Sequence, residues 1–264
     1  MIEVEDLCVT FNVGSAIETR ALRKLQLTIP AGQFVTVIGS NGAGKSTLLN
    51  VIAGEIRCDS GRILIDGRDV THWSTARRSA LVARVFQDPM AGSCENLTLE
   101  ENLALASSRG ARRGLGPAVN RDRHDEFQQR LAQLGLGLDN RLNDRMGLLS
   151  GGQRQAVSLV MATLNPMKIL LLDEHTAALD PKTAAFVMEL TERIVQDLSL
   201  TTMMVTHSMR QALDHGHRTL MLHEGRVVLD VEGDERRRMK VEDLLHMFEQ
   251  VRGVALDDDK LLFG

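Results

Sequence analysis

Residues 34–54 read FVTVIGSNGAGKSTLLNVIAG, and this stretch determines the class of fold. Phe34 to Ile38 form a continuous apolar run, which is typical of a strand buried on both faces of a sheet. A glycine-rich turn follows at Gly39–Gly44, and the segment KSTLLNVIAG after it has the character of a helix. This order of strand, turn and helix predicts an α/β domain with a mainly parallel sheet.

The turn from Gly39 to Ser46 matches the pattern G-x-x-x-x-G-K-[ST] in full. Its glycines let successive backbone N–H groups, and the N-terminus of the following helix, face a triphosphate. Lys45 would reach the β- and γ-phosphates and Ser46 would bind Mg²⁺, whereas a simple tight turn would explain the glycines but not the Lys-Ser pair. The predicted nucleotide-binding residues are Gly39, Ser40, Asn41, Gly42, Ala43, Gly44, Lys45, Ser46 and Thr47.

Two more apolar runs predict buried strands that end in polar residues. Ile169–Leu172 leads into Asp173 and Glu174, and Thr202–Val205 leads to His207. Ligands of open α/β sheets bind at the carboxyl ends of strands, so we expect these residues beside the glycine turn. Asp173 would hold Mg²⁺ through water, Glu174 would orient or deprotonate the attacking water, and His207 would hydrogen-bond the γ-phosphate. Without the glycine turn, Asp173 and Glu174 would more simply be an exposed acidic turn, and His207 would be a structural histidine. The other seven histidines are interpreted as structural.

The composition indicates a globular protein without a strongly basic surface. Of its 264 residues 43% are hydrophobic and 25% are charged, and a net charge of −4 does not favour nucleic acid as a partner. Cys8, Cys58 and Cys94 form no close pair, which favours a reducing cytosol over a disulfide framework. The N-terminus does not resemble a signal peptide, and no apolar run approaches the ~20 residues of a membrane span. We expect a cytosolic chain that needs a separate partner for any membrane role.

Residues 88–165 have helical signals without a convincing strand, which predicts a helical lobe. Thr98 and Glu101 form a capping box before one helix, and Phe127–Leu134 is a second amphipathic segment. The link between them, residues 107–123, is rich in Gly and Arg and favours a solvated loop over a docking surface for acidic groups.

Alternating residues at 2–11 and 62–66 predict a small antiparallel layer, with Asp66-Gly67 as a turn after the second strand. The acidic tail Asp257–Asp259 is interpreted as solvated.

Caps define the helices that follow the buried strands. Asp180 is a predicted N-cap with Pro181 at the first helical position, and Ser208 caps a helix that Gly216 can end. The predicted apolar stripe of the first of these helices is Val187, Leu190, Ile194 and Leu198.

The segment Leu149–Gln153 precedes another helical run, from Arg154 to about Asn165. Its glycines and Ser150 suit either an anion-binding helix N-terminus or a simple cap, and the residues alone do not decide between them.

Taken together, these motifs resemble the ATP-binding cassette (ABC) ATPases. The Walker A segment is GSNGAGKST, the Walker B segment is ILLLDE, and LSGGQRQ between them matches the signature that distinguishes this family from other P-loop proteins. Gln87 matches the Q-loop, Asp180 the D-loop and His207 the switch histidine. The resemblance extends in order over about 220 residues, and implies a P-loop NTPase (RecA-like) core with an antiparallel β layer and a helical subdomain.

The resemblance also implies roles for residues outside the glycine turn. Two copies would pair head to tail, so that Ser150, Gly151, Gly152 and Gln153 of one copy bind the ATP held by the other. Gln87 would contact Mg²⁺ or the water, and Asp180 would communicate across the dimer.

Two positions depart from the family pattern. Because the chain has no Tyr, Phe11 is the candidate to stack on adenine, with a core role in its strand as an equal alternative. His175 stands where many members have Pro, and the sequence gives no physical account of it.

The resemblance predicts one ABC ATPase domain over residues 1–264. Its α/β core would be residues 1–87 and 166–230, its helical signature lobe 88–165, and its C-terminal helix and acidic tail 231–264. We expect a motor that hydrolyses ATP on the cytoplasmic face of the inner membrane. Its partners would be permease subunits, a second copy and, through the permease, a substrate-binding protein.

The expected cargo is an amino acid or similar small solute, imported into a bacterium. An exporter or lipid extractor remains the alternative within transport. A soluble ABC ATPase acting on DNA or ribosomes would be favoured by a long heptad-rich insertion or two cassettes in one chain, and the sequence has neither.

Overall fold

A computed structural model of the protein describes residues 1–110 and 118–252. Part of the Gly/Arg-rich link and the whole of the acidic tail Asp257–Asp259 lie outside the described residues. The chain divides into two compact units, each described separately below: unit 1 is Met1–Arg78 with Ser199–Gly264, and unit 2 is Ser79–Leu198. Unit 2 therefore includes more of the chain than the segment 88–165 predicted as a helical lobe.

Strands and helices occur in both units. The strands are β1 Ile2–Phe11, β2 Thr19–Ile29, β3 Phe34–Gly39, β4 Ser60–Ile65, β5 Arg68–Asp69, β6 Val82–Val85, β7 Ile169–Asp173, β8 Thr201–Val205, β9 Arg218–His223 and β10 Arg226–Glu232. The helices are α1 Lys45–Ala53, α2 Thr75–Arg78, α3 Leu99–Ser107, α4 Arg121–Ala132, α5 Gly151–Thr163, α6 Pro181–Asp197, α7 Met209–Asp214, α8 Gly233–Arg238 and α9 Val241–Arg252.

Unit 1 contains two sheets. The first is antiparallel in the order β2-β1-β4-β5, and its β4–β5 turn is the predicted Asp66-Gly67 pair, both with positive φ. In the second, β3 lies between β8 and β9 and is parallel to both, while β10 pairs antiparallel with β9. Every residue of β3 and β8 is buried, as the continuous apolar runs predicted.

Unit 2 combines a parallel strand pair with helices. β6 and β7 pair from Val82↔Ile169 to Val85↔Leu172. Between these strands, the described parts of residues 88–165 form helices and turns without a strand, as predicted. Thr98 accepts a hydrogen bond from Glu101 N, and its own N–H donates to the Glu101 carboxylate, which confirms the capping box of α3.

Some element boundaries differ from the prediction. α4 begins at Arg121, six residues before the predicted segment Phe127–Leu134. It ends at Ala132, so Leu134 lies beyond the helix. The stripe predicted for α6 was wrong at Leu198, which is 46% exposed because the helix ends at Asp197 and Leu198 is its C-cap. Val195 is buried instead. Among the described helices, none is long and apolar enough to span a membrane.

Candidate functional site

The glycine turn of unit 1 is shaped by close packing of its backbone. A Cβ on Gly39 would lie 2.2 Å from the Leu222 carbonyl oxygen, and one on Gly44 would lie 2.5 Å from that of Ala21. Gly42 has open space around it, but its φ of 76° favours glycine. The turn therefore needs glycine at two positions for packing and at a third for its backbone conformation.

Lys45 and Ser46 begin α1 directly after Gly44, which is the left-handed N-cap of the helix. The Lys45 ammonium is buried and donates hydrogen bonds to the Gly39 carbonyl at 2.7 Å and the Ser40 carbonyl at 3.1 Å. Ser46 is exposed on the first turn, and Thr47 is partly buried beside it. The loop thus presents backbone N–H groups, an ammonium and a hydroxyl together, which is the chemistry that binds phosphate and Mg²⁺.

A buried arginine fixes the other end of α1. Arg78 is 1% exposed and donates to the carbonyls of Val51, Ile52, Val70 and Thr71. Burial lowers the pKa of its guanidinium from its ordinary value. The guanidinium thereby satisfies carbonyls at the end of the helix that begins with Lys45.

His207 lies beside the glycine turn. β3 and β8 pair in parallel with Val37 level with Val205, so Gly39 and His207, each two residues further on, are neighbours at the carboxyl ends of their strands. The Thr206 N–H donates to the Val37 carbonyl at 3.1 Å, which extends the pairing to this point. Unit 1 therefore places His207 just beyond the end of β8, the strand that pairs with β3. Its hydrogen bond to the γ-phosphate stays a prediction.

Phe11 is the last residue of β1 and pairs with Thr19 at the start of β2. β2 also contains Ala21, whose carbonyl oxygen lies against Gly44, so this end of the β1–β2 pair adjoins the glycine turn. Phe11 is only partly buried. Both the adenine contact and the core role predicted for this side chain remain predictions.

In unit 2, three predicted residues meet at the carboxyl end of the β6–β7 pair. Val85 is level with Leu172, so Phe86 and Gln87 lie beside Asp173 and Glu174. Gln87 is exposed. Glu174 has a φ of 48°, a left-handed conformation that costs a non-glycine residue about 1 kcal/mol or more. Strain at a predicted catalytic position is compatible with a functional constraint.

Two partners of this strand end were not predicted from the sequence. The Arg84 guanidinium donates to Asp173 Oδ2 at 2.6 Å, and the His175 ring Nε2 lies 3.0 Å from the Thr191 hydroxyl. The arginine in the apolar segment VARVF could have indicated the Arg84–Asp173 pair, because a charge on a buried strand needs a partner.

His175 has a structural explanation. It is 2% exposed, and Thr191 donates its hydroxyl proton to the Val187 carbonyl at 2.7 Å. The hydroxyl must then accept from His175, so Nε2 of the ring carries a proton. This bond ties the segment after Glu174 to α6, a role that Pro could not have.

The signature segment forms a complete cap. Ser150 accepts from the Gln153 N–H at 3.3 Å, and its own N–H donates to the Gln153 side chain at 3.1 Å. α5 therefore begins at Gly151, three residues before the predicted start. A Cβ on Gly152 would lie only 2.0 Å from Thr183 Cγ2, and one on Gly151 would lie 3.4 Å from Leu179.

Asp180 is the N-cap of α6, as predicted, and accepts from the Thr183 N–H at 3.1 Å. Hydrogen bonds from Thr183 hold the pKa of the Asp180 carboxyl below its ordinary value. Since Thr183 also contacts Gly152, one turn of α6 links the D-loop motif to the signature.

A buried side chain connects the signature helix to the Q-loop segment. Gln155 is 1% exposed, and its side-chain amide donates to the Phe86 carbonyl at 3.2 Å. The residue before Gln87 is thereby fixed from α5, which the sequence motifs alone did not indicate.

Sequence comparisons agree with these motifs. Residues 22–177 match the family described as ABC transporter. The chain is 43% identical to the tyrosine transport ATP-binding protein of Clostridioides difficile (strain R20291), over 94% of this chain and 99% of that protein. It is 35% identical to the thiamine import ATP-binding protein ThiQ of Escherichia coli (strain K12), over 77% of this chain and 83% of that protein.

Solved structures agree as well. An ATP-binding cassette in a dimeric post-hydrolysis state, bound to ADP and Pi, is 28% identical with a TM-score of 0.76. It covers 88% of this chain and 98% of its own. A second cassette, in its ADP conformation, has a TM-score of 0.79 at 22% identity and supports the fold alone.

Proposed function

Since this chain belongs to the ABC transporter family, as an ATP-binding subunit that hydrolyses ATP, we propose that it powers a bacterial importer of an amino acid or a similar small solute. The observation that supports an amino-acid cargo most strongly is the 43% identity, over nearly the full length of both chains, to a protein named for tyrosine transport. A relative named for thiamine import also favours uptake over export. Aromatic amino acids are therefore the first cargo to test.

The glycine turn is the proposed phosphate-binding element. Backbone N–H groups of Gly39–Gly44 face the phosphates, Lys45 neutralises them, and Thr47 adds a hydroxyl one residue after Ser46. Phe11 is the proposed adenine contact, because its strand end adjoins the loop.

Glu174 is the proposed general base for the attacking water, with Gln87 beside it to orient that water. His207, next to the loop, donates a hydrogen bond to the γ-phosphate. Ser46, Gln87 and Asp173 offer hydroxyl, amide and carboxylate oxygens, the donors that Mg²⁺ prefers. When bound, Mg²⁺ neutralises charge that develops on the phosphates during transfer.

A second copy of the chain completes the proposed site. Ser150, Gly151, Gly152 and Gln153 would bind the ATP held by the partner, since Ser150 and the first backbone N–H groups of α5 lie at the start of that helix. Asp180, at the start of α6 beside this segment, would respond to the partner. A cassette at 28% identity is described as dimeric, which supports this pairing.

The proposed location is peripheral, on the cytoplasmic face of the membrane. Permease subunits would hold the chain there, and a substrate-binding protein would act through the permease. Nucleic acid is not a proposed partner, since a net charge of −4 does not favour binding to a polyanion.

The test begins with a tagged Glu174→Gln chain expressed in its native host. Membranes are solubilised in detergent with ATP and Mg²⁺, and proteins that copurify with the chain are identified. The copurified membrane protein is then reconstituted into vesicles with the unaltered chain inside, and uptake of labelled tyrosine is measured. Lys45→Ala, expected to lose ATP binding, is the matched control for uptake driven by ATP.

Recovery of a multi-span permease and uptake that requires Lys45 would support the proposal. Recovery of only soluble or nucleic-acid-associated proteins would favour a soluble ABC ATPase instead. Uptake of external solute into the ATP-containing lumen would indicate import, and loss of preloaded solute from the lumen would indicate an exporter.

A further inference from the structure

Asp173 is ion-paired within unit 2, which its proposed role with Mg²⁺ does not require. Arg84 and Asp173 lie on adjacent parallel strands, with Arg84 level with Leu171, two residues before the carboxylate. Arg84 donates from Nη2 to Asp173 Oδ2 at 2.6 Å, and the two side chains are only 10% and 14% exposed. A charge-assisted bond of this length with little exposure to water is stronger than an ordinary surface ion pair.

A second contact holds the guanidinium in place. Its central carbon lies 4.6 Å from the centroid of the ring of Phe86, which follows the last residue of β6. Arg84 is thus held by a ring and a carboxylate together. It keeps its position by packing as well as by charge.

We propose that Arg84 competes electrostatically with Mg²⁺ for Asp173, and so limits how much the metal strengthens ATP binding. The inference rests on the proposed function, in which Asp173 serves the metal. Arg84 is a positioning residue, which holds Oδ2 of the Asp173 carboxylate.

The charges determine whether Arg84 weakens or strengthens Mg²⁺ binding near Asp173. A guanidinium in direct contact offsets the negative charge of Asp173 and repels a second cation nearby, and the low exposure of the pair limits screening. Removing the guanidinium leaves the carboxylate with its full charge. Metal binding then gains attraction, while the protein without nucleotide loses a stabilising contact.

The experiment measures ATP affinity with and without metal. A fluorescent ATP analogue is titrated into the Glu174→Gln chain, which is expected to hydrolyse the ligand only slowly, first with excess Mg²⁺ and then with EDTA. The contribution of the metal is the dissociation constant in EDTA divided by the dissociation constant in Mg²⁺. Arg84→Met removes the charge at similar length, and Arg84→Lys keeps the charge but not the planar group.

Arg141→Met is the matched control, because Arg141 forms a comparable 2.7 Å bond with Asp144 in the same unit. We expect Arg84→Met to increase the ratio roughly fivefold, since one unit charge in a partly screened site changes binding by about that factor. Arg84→Lys and Arg141→Met should stay within about twofold of the parent. Affinity in EDTA should be unchanged in all three.

Each outcome has a distinct meaning. A ratio that is unchanged or lower in Arg84→Met, with normal affinity in EDTA, would overturn the inference and leave the proposed function intact. If the parent chain itself shows no effect of Mg²⁺ on ATP affinity, the proposed role of Asp173 fails first. Thermal unfolding without nucleotide tests whether the ion pair stabilises the protein. Only Arg84→Met should lower the unfolding midpoint while raising the metal contribution.

Discussion

The glycine turn of unit 1 and the β6–β7 strand end of unit 2 obtain their shapes in different ways. In the turn, Gly39 and Gly44 approach neighbouring carbonyl oxygens so closely that no side chain fits, and the backbone itself is the proposed binding element. At the strand end the proposed functional groups are side chains, and other side chains hold their surroundings: Arg84 on Asp173, His175 on Thr191, and Gln155 on the Phe86 carbonyl. A backbone site is specified by a short motif, whereas a side-chain site depends on residues far away in sequence.

The largest effect that separates the two regions should come from Glu174→Gln. The substitution preserves size and removes the base, so we expect hydrolysis to fall by ~10²–10⁴-fold, or about 3–5 kcal/mol in activation free energy. ATP binding should persist, because the glycine turn is untouched. Phosphate release and analogue binding measured on one preparation check both parts, and near-normal hydrolysis would remove Glu174 from the base role.

The second prediction concerns the buried arginine at the C-terminal end of α1, the helix that follows the glycine turn. Arg78→Met removes the donors for four carbonyl groups and should lower the free energy of unfolding by roughly 3 kcal/mol, as measured in urea. Arg141→Met, at a partly exposed ion pair, should cost less than about 1 kcal/mol. Equal losses in the two variants would show that the carbonyl contacts of Arg78 contribute little.

Strands and caps could be predicted from the sequence, whereas side-chain pairs between distant segments could not. The buried strands β3, β7 and β8 were predictable because their apolar runs end at recognisable turns, and Thr98 and Asp180 were predictable as caps because capping is local. The Arg84–Asp173 and His175–Thr191 pairs were not predicted, since each depends on which strand or helix becomes a neighbour.

The signature segment shows the same limit in one motif. Its composition left a cap and an anion site as alternatives; the structure contains the cap, and the anion site stays a prediction. The position of Gly152 against Thr183 could not be predicted, because it arises from the packing of α5 on α6.

The third prediction uses that contact. Gly152→Ala places a methyl group 2.0 Å from Thr183 Cγ2, and this overpacking should cost about 1–3 kcal/mol of unfolding free energy. Thr183→Ser removes the opposing methyl group, so the double variant should recover most of the loss. Gly151→Ala is the matched control, because its new Cβ meets Leu179 at an ordinary 3.4 Å. Similar losses for both glycine variants, or no rescue by Thr183→Ser, would contradict the packing explanation.

The smallest expected effect tests whether the strand end depends on the bond between His175 and Thr191. His175→Leu and Thr191→Val each remove one partner from a buried hydrogen bond, so each should destabilise the protein by about 1–2 kcal/mol. The double variant should lose less than the sum, by about 1 kcal/mol, because the first substitution has already broken the bond that the second would remove. Urea unfolding of the four proteins gives this coupling energy directly. A coupling near zero would mean that the two side chains are buried side by side without stabilising each other, and the left-handed backbone at Glu174 would then need another support.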